Sequence, residues 1–407
     1  MTSVPLRRNR DFVLLQAGQL LSAVGSQAAS IAYPLLVLAL THSAVRAGLV
    51  AFFHALPLAV LAIPAGLAAD RWNRRTVMIV ADAARALAVT GLVVALVTHH
   101  AAYWVIALVA AVEGTGSTFF AAASPGALRS VVPHEQLPEA MAAQTGRQAA
   151  VLMAGPPAGG GLFEIARQLP FVADALSYVF STASLLCMRA PFQEVRPADT
   201  STLRARVREG MSFIWHHPFI RATTFLYAFL NFNGSGLLFC LVVIARGQGR
   251  SGAAIGVLVA LFAVAAFVGS FLTSRVRRAL SSRAVMLLES WCWLGCAAFL
   301  LWPSAYVLAA GLIPVGLAFP TTDSVVHAYR LVVTPDRLLG RAESVRSAMA
   351  QMLASVAPLV AGLLLAHATP RWTIAGFTLS GVLVVVFGLR SDAIASAPGL
   401  EDVERPS

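Results

Sequence analysis

The chain has 407 residues, 58% of them hydrophobic and only 12% charged, with a mean hydropathy of +0.74. Soluble domains dilute apolar residues with charged surface, so this composition excludes a water-soluble protein and specifies a polytopic membrane protein. The net charge of +11 comes from arginine alone, since there is no lysine. The arginines gather at the ends of alternate apolar runs, as topology determinants do and nucleic-acid-binding patches do not.

In chain order, runs bounded by Pro, Gly and charge predict twelve spanning helices. Arg7, Arg8 and Arg10 precede an apolar stretch far longer than the core of a cleavable signal, so it is expected to remain as a helix over 12–40. Gln19 and Gln27 on it bracket the bilayer midplane. The second run, 45–69, ends in Gly66-Leu-Ala-Ala-Asp70-Arg71-Trp-Asn-Arg74-Arg75, and the third, 75–98, carries Asp82 and Arg85 three apart on one face near that turn. In the fourth, 102–125, Glu113 falls about 11 residues along, roughly 16 Å, near the midplane. The fifth, 138–163, holds Gly155-Pro156-Pro157-Ala158-Gly159-Gly160, and Arg147 two or three turns in. The sixth, 168–189, places Asp174 one to two turns from its outer end, not far from Arg167.

A polar segment, 191–218, then divides the chain almost in half. It contains Arg196, Arg204, Arg206 and Arg208 and an amphipathic piece over 203–215. Six more runs follow at 219–244, 252–274, 284–302, 304–328, 343–367 and 371–390. Asn231 and Asn233 lie near mid-depth of the seventh. Glu289 is expected near the cytoplasmic interface of the ninth, beside Trp291 and Trp293. Asp323 and His327 are four apart near the cytoplasmic end of the tenth. An even number of spans puts both termini on one side, and the arginine distribution makes that side cytoplasmic. The expected domains are therefore 1–190, a linker 191–218, and 219–407 with a short polar tail.

The halves repeat. Val131, Pro133, Leu137, Ala140, Pro156 and Gly160 recur 202 residues later as Val333, Pro335, Leu339, Ala342, Pro358 and Gly362. Gly66, Arg74 and Arg75 recur at an offset of 203 as Gly269, Arg277 and Arg278, but Thr273 and Ser274 stand where Asp70 and Arg71 would. Two matches at nearly one offset indicate duplication, and the charged turn is complete only in the first copy. Its Gly66 is expected to let neighbouring backbones approach closely, and Asp70 to meet a helix N-terminus or an arginine.

The turn G-x-x-x-D-R-x-x-R-R resembles the signature between the second and third helices of major facilitator superfamily transporters. G-P-x-x-G-G at 155–160 is similar to the antiporter motif of their fifth helix. Further positions, from Pro64 and Ala81-Asp82-Ala83-Ala84-Arg85 through Asp174-Ala175-Leu176-Ser177 to Leu339-Gly340-Arg341, resemble the drug-exporter branch that includes macrolide-efflux and enterobactin-exporter proteins. This resemblance implies an all-α fold of two six-helix halves around a central cavity, and export of an organic small molecule (drug, antibiotic, siderophore or secondary metabolite) by alternating access with proton antiport. The first, fourth, seventh and tenth helices would line the cavity. The charged turn, with Asp82 and Arg85, would latch the cytoplasmic side, Asp70 against a second-half helix end. One departure is that Ala110-Ala111-Val112-Glu113-Gly114 lacks the arginine that drug antiporters carry on the fourth helix.

Ionisable groups inside apolar spans are costly and are functional candidates on that ground. Glu113 is the expected reversible protonation site, Asp174 an external entry point for protons or a helix-end acid, and Gln19, Gln27, Asn231, Asn233 and Asp323 the remaining polar lining. Gly155, Pro156, Gly159 and Gly160 form a packing seam with a kink. Arg147 is expected to snorkel or pair. Other readings stay open: a same-fold facilitator, a lysolipid translocator, or a non-transporting membrane sensor. The chain has no P-loop, and its adjacent histidines, His99-His100 and His216-His217, are poor metal sites, so no cofactor or metal is expected and no enzyme activity. Cys187, Cys240, Cys292 and Cys296 read as packing residues. The partners expected are a small-molecule substrate, protons and the cell-membrane bilayer, with the protein a monomer.

Overall fold

A computed structural model describes residues 5–190, 192 and 203–395. Arg196 and the rest of 193–202, and the tail 396–407, lie outside the described residues, as do the side chains of Arg204 and Arg206. Among the described residues every regular element is helical. The first six long helices are α1 (Arg10–Thr41), α2 (Ala44–Arg71), α3 (Arg74–Val97), α4 (Tyr103–Val131), α5 (Leu137–Ile165) and α6 (Leu169–Cys187). The short α7 (Leu203–His216) covers the expected amphipathic piece. Then come α8 (Pro218–Gly247), α9 (Gly252–Ala279), α10 (Ser282–Cys292), a 3-10 segment Trp293–Ala297, α11 (Ala298–Leu301), α12 (Ala305–Val333), α13 (Asp336–His367), α14 (Pro370–Arg390) and α15 (Asp392–Ala395).

Eleven of the twelve expected spans are long and apolar enough to cross a bilayer, counting Ser282–Leu301 as one. The twelfth, α5, has the length but not the composition. Glu139, Gln144, Arg147 and Gln148 occupy its first half. Four helices extend five or more residues beyond the expected runs. α4 runs through Pro125 to Val131, α9 to Ala279 and α12 to Val333, and α13 begins at Asp336, ahead of the apolar run 343–367. Conversely, the ninth span is not one helix, because α-helical bonding gives way to 3-10 bonding at Trp293–Ala297.

Local chemistry explains the ends. Asn73 caps α3, its side chain accepting from the Arg75 N–H at 2.9 Å, so the charged turn closes on a defined helix start. Asn9 caps α1 by accepting from Phe12 N and also donates to Val131 O at 2.7 Å. Ser43 and Ser281 cap α2 and α10 in the same way.

The described chain falls into two compact units, 1–200 with 250–260, and 201–249 with 261–407. In the first, α1 packs on α5 and α6, α3 on α4 and α6, and α2 crosses α4. In the second, α8 packs on α13 and α14, and α10 on α12. The repeat reaches beyond the residues that first showed it. A Cβ on Gly114 would collide with the His54 carbonyl of α2, and a Cβ on Gly316, 202 residues on, would lie 2.7 Å from the Phe262 carbonyl of α9. In each unit a glycine thus brings two helix backbones together. Gly269 serves a similar close approach to Leu317, whereas a Cβ at its counterpart Gly66 would meet nothing within 4 Å. The close approach expected at Gly66 is therefore absent from the described contacts.

Candidate functional site

Four helices of the first unit, α1, α3, α4 and α6, converge on a buried polar network. Glu113 is 1% exposed. Tyr33 of α1 donates to its Oε2 at 2.6 Å, and Tyr178 of α6 donates to its Oε1 at 2.9 Å. The Tyr178 hydroxyl also meets Ser26 Oγ at 2.8 Å, and Ser26 is 3.5 Å from Asp174 Oδ1. Asp174 is fully buried, and Ser177 donates to its carbonyl at 2.7 Å. Spacing explains the register. Ser26 and Tyr33 are two turns apart on α1, and Asp174 and Tyr178 one turn apart on α6, so each pair shares a face.

Two glycines make room for these groups. A Cβ on Gly25 would lie 2.6 Å from Ser177 Oγ and 2.8 Å from Asp174 Oδ1, so only glycine admits the acid against α1. A Cβ on Gly116 would lie 2.6 Å from Arg85 Cγ. Arg85 pairs with Asp82 on its own helix, and its guanidinium lies 4.3 Å from the Tyr178 ring centroid and 5.1 Å from that of Phe120. Both members of the pair are buried. Asp82 and Arg85 therefore sit within the Glu113 network, about two to three turns along α3 from the charged turn. Asp174 likewise belongs to it and does not stand as a helix-end acid beside Arg167, which is exposed.

Such a network can pass a proton without moving heavy atoms far. With Glu113 ionised and the proton held on Asp174, both tyrosines donate to Glu113, Ser26 donates to Tyr178 and Asp174 donates to Ser26. With the proton on Oε1, every bond can reverse: Glu113 donates to Tyr178, Tyr178 to Ser26, and Ser26 to Asp174. Tyr33, Ser26 and Tyr178 escaped the sequence reading, because hydroxyls in apolar runs read as packing groups. The one usable signal was that Tyr178 lies four residues after an acid.

The other sequence candidates are distributed elsewhere. Gln19 Nε2 donates to Ser124 Oγ at 2.7 Å, and Arg147 donates to both Gln16 Oε1 and Gln19 Oε1 at 2.7 Å, so the arginine pairs with amides. Gln27 is half-buried, with its Cβ pressed against Gly155. Gly159 abuts the Ala28 carbonyl, and Gly160 the Gly252 carbonyl at the start of α9, next to Pro156 against Gly256. In the charged turn Asp70 and Arg71 are exposed, Arg74 is buried over Gly126, and Arg75 donates to Leu186 O at 2.6 Å. In the second unit Asn231 donates to Tyr227 O at 2.8 Å, and Asn233 is fully buried and accepts from Ser380. Asp323 is half-buried, while His327 is exposed. Glu289 is 4% exposed, enclosed within the second unit. No group of three or more metal-ligating side chains occurs among the described residues.

Eleven apolar helices in two repeated units, with ionisable groups buried in both, define a multi-pass membrane protein. A family model described as transmembrane secretion effector matches residues 2–354, and the chain belongs to that family of the major facilitator superfamily. The crystal structure of the nucleoside transporter NupG superposes with a TM-score of 0.75 over 93% of this chain and 99% of that one, at 11% identity, which shows the shared fold. Among curated relatives, the MFS-type transporter YfiS of Bacillus subtilis (strain 168) is 26% identical over 222 residues, 53% of this chain and 52% of its own. Macrolide efflux protein A of Streptococcus pyogenes is 24% identical over 206 residues, 50% of this chain and 51% of its own. The chain thus spans about half the length of the curated relatives it matches.

Proposed function

We propose that this transporter exports an organic small molecule across the cell membrane by alternating access, and that proton antiport through Glu113, Tyr178, Ser26 and Asp174 drives it. The enclosure of Glu113 by two tyrosine hydroxyls, one of them leading to a second buried acid, carries the reading. The likeness to a macrolide efflux protein favours export, and the glycine-proline seam of α5 supports a moving helix contact. The halves 1–190 and 219–407, joined by 191–218, are the moving parts, with both termini cytoplasmic and the protein acting as a monomer.

The longest step of the relay, Ser26 to Asp174 at 3.5 Å, lies at the edge of hydrogen-bond range. A small shift of α1 against α6 makes or breaks it, which couples proton transfer to helix movement. The Asp82–Arg85 pair holds a positive charge over Tyr178 while protons pass. Gly66 to Arg75 acts as the cytoplasmic latch.

The test is efflux from vesicles carrying the protein, with a panel of macrolides, siderophores, tetracyclines and lipophilic cations, with and without an imposed proton gradient. Gradient-dependent efflux that disappears in Glu113→Gln is the expected result. Efflux equal in wild type and Glu113→Gln, with the same response to the gradient, would overturn the proton role. Efflux indifferent to the gradient in both would make the protein a facilitator.

A further inference from the structure

The proposed relay leaves one charged side chain of the first unit without a role. Arg147 stands on α5 about 10 residues from its start at Leu137, roughly 15 Å along the helix axis. Its surroundings on that helix are polar at the surface: Thr145 and Gln148 are exposed, and Gln144 and Arg147 are half-buried. Side chains of that kind at spanning depth face water or protein and not hydrocarbon. α1 packs along α5 and supplies Gln16 and Gln19, three apart on one face.

The hydrogen bonds fix the guanidinium and leave part of it idle. Nη1 donates to Gln16 Oε1 and to Gln19 Oε1, both at 2.7 Å. Gln19 is held in turn, its Nε2 donating to Ser124 Oγ of α4 at 2.7 Å. Arg147 Nε is shielded from water and meets no acceptor among the described residues, and neither does Gln16 Nε2. Both bonds that Arg147 makes run from Nη1, so Nη2 has no acceptor there either. Nε and Nη2 form the side-on edge of the guanidinium, whose parallel N–H groups match two oxygens of a carboxylate, sulfonate or phosphate. Gln16 Nε2 adds a third free donor.

No acid offsets the charge. Arg85 meets Asp82 and Arg330 meets Glu343, but no carboxylate lies within electrostatic reach of Arg147 among the described residues. Amides alone would hold α1 against α5. A guanidinium in their place costs more, and a cation drawn out of water is ordinarily matched by an anion. Leu20, one turn beyond Gln16 on α1, is exposed and gives such an anion an apolar footing.

We propose that Arg147, with Gln16, binds the oxyanion of an amphipathic organic acid. The proposal deepens the export reading by naming a substrate class, and for that consequence alone it rests on that reading. The site itself is a matter of binding.

Fluorescence anisotropy of fluorescein with the purified full-length protein in detergent tests it, beside rhodamine 123, a cation built on the same ring system. Saturable binding of fluorescein to wild type is expected, weakened at least tenfold in Arg147→Gln, while any binding of rhodamine 123 is unchanged by that substitution. Gln16→Glu sets a carboxylate against Nη1 and supplies the counter-ion from within. It is expected to weaken fluorescein binding at least tenfold without lowering the melting temperature, which keeps the test decisive should Arg147→Gln fail to fold. Octanoate is expected to displace the probe, and displacement by phosphatidylglycerol alone would assign the anion to a membrane lipid and overturn the substrate class. No saturable binding by wild type, or affinities within twofold of wild type in both variants, would overturn the site. Vesicle efflux decides the export reading separately, so either can fail alone.

Discussion

Tyr178 is the joint of the buried network, because one phenol touches Glu113, Ser26 and the Arg85 guanidinium. Tyr178→Phe keeps the ring beneath Arg85 and removes only the hydroxyl. Gradient-driven efflux is expected to fall at least tenfold with protein abundance unchanged, whereas Tyr33→Phe, which removes a terminal donor, costs less. Initial efflux rates of the two variants side by side check this, and equal losses would remove the relay's direction. The acids of this site were legible in the sequence, since Glu113, Asp82 and Asp174 stand out in apolar runs where charge is costly. The hydroxyls were not, for a tyrosine gains by burying its ring whether or not its oxygen works. Nor did the sequence show that Asp82, Arg85, Glu113 and Asp174 share one network, because that depends on which faces of α3, α4 and α6 meet.

Among the helices, glycine placement separates close crossings from open surface. Gly114→Ala forces α4 away from the His54 carbonyl of α2, an overpacking of roughly 1–3 kcal/mol, and is expected to lower the melting temperature. Gly66→Ala meets no atom and is expected to leave the melting temperature unchanged, so any defect it shows lies in transport. Thermal unfolding of the two purified variants makes the comparison, and a destabilised Gly66→Ala would show that a packing contact forms there after all. Asn73→Ala removes the cap of α3 at a cost of about 1 kcal/mol, read in the same assay. The helices themselves were legible because twenty-residue apolar runs are the strongest signal a membrane protein carries. Their ends were less so. Pro125 lies inside α4, where neighbouring helices tolerate the lost backbone bond, and α13 extends into charged sequence beyond the apolar run.

At the scale of the whole molecule, two repeats of one helical pattern carry unequal chemistry. The proposed proton relay lies in the first unit, and the complete charged turn occurs once. Duplication supplied the frame, and divergence of a few residues assigned the roles. Asp70→Asn, at an exposed position, is expected to impair transport while leaving membrane insertion and abundance intact. A transport rate equal to wild type would remove the latch. The most direct test of the central claim is proton movement itself. In proteoliposomes containing a pH-sensitive dye in the lumen, addition of a transported compound should produce a counterflow of protons in wild type and none in Glu113→Gln or Tyr178→Phe. Substrate-dependent proton counterflow that persists undiminished in both variants would contradict the account.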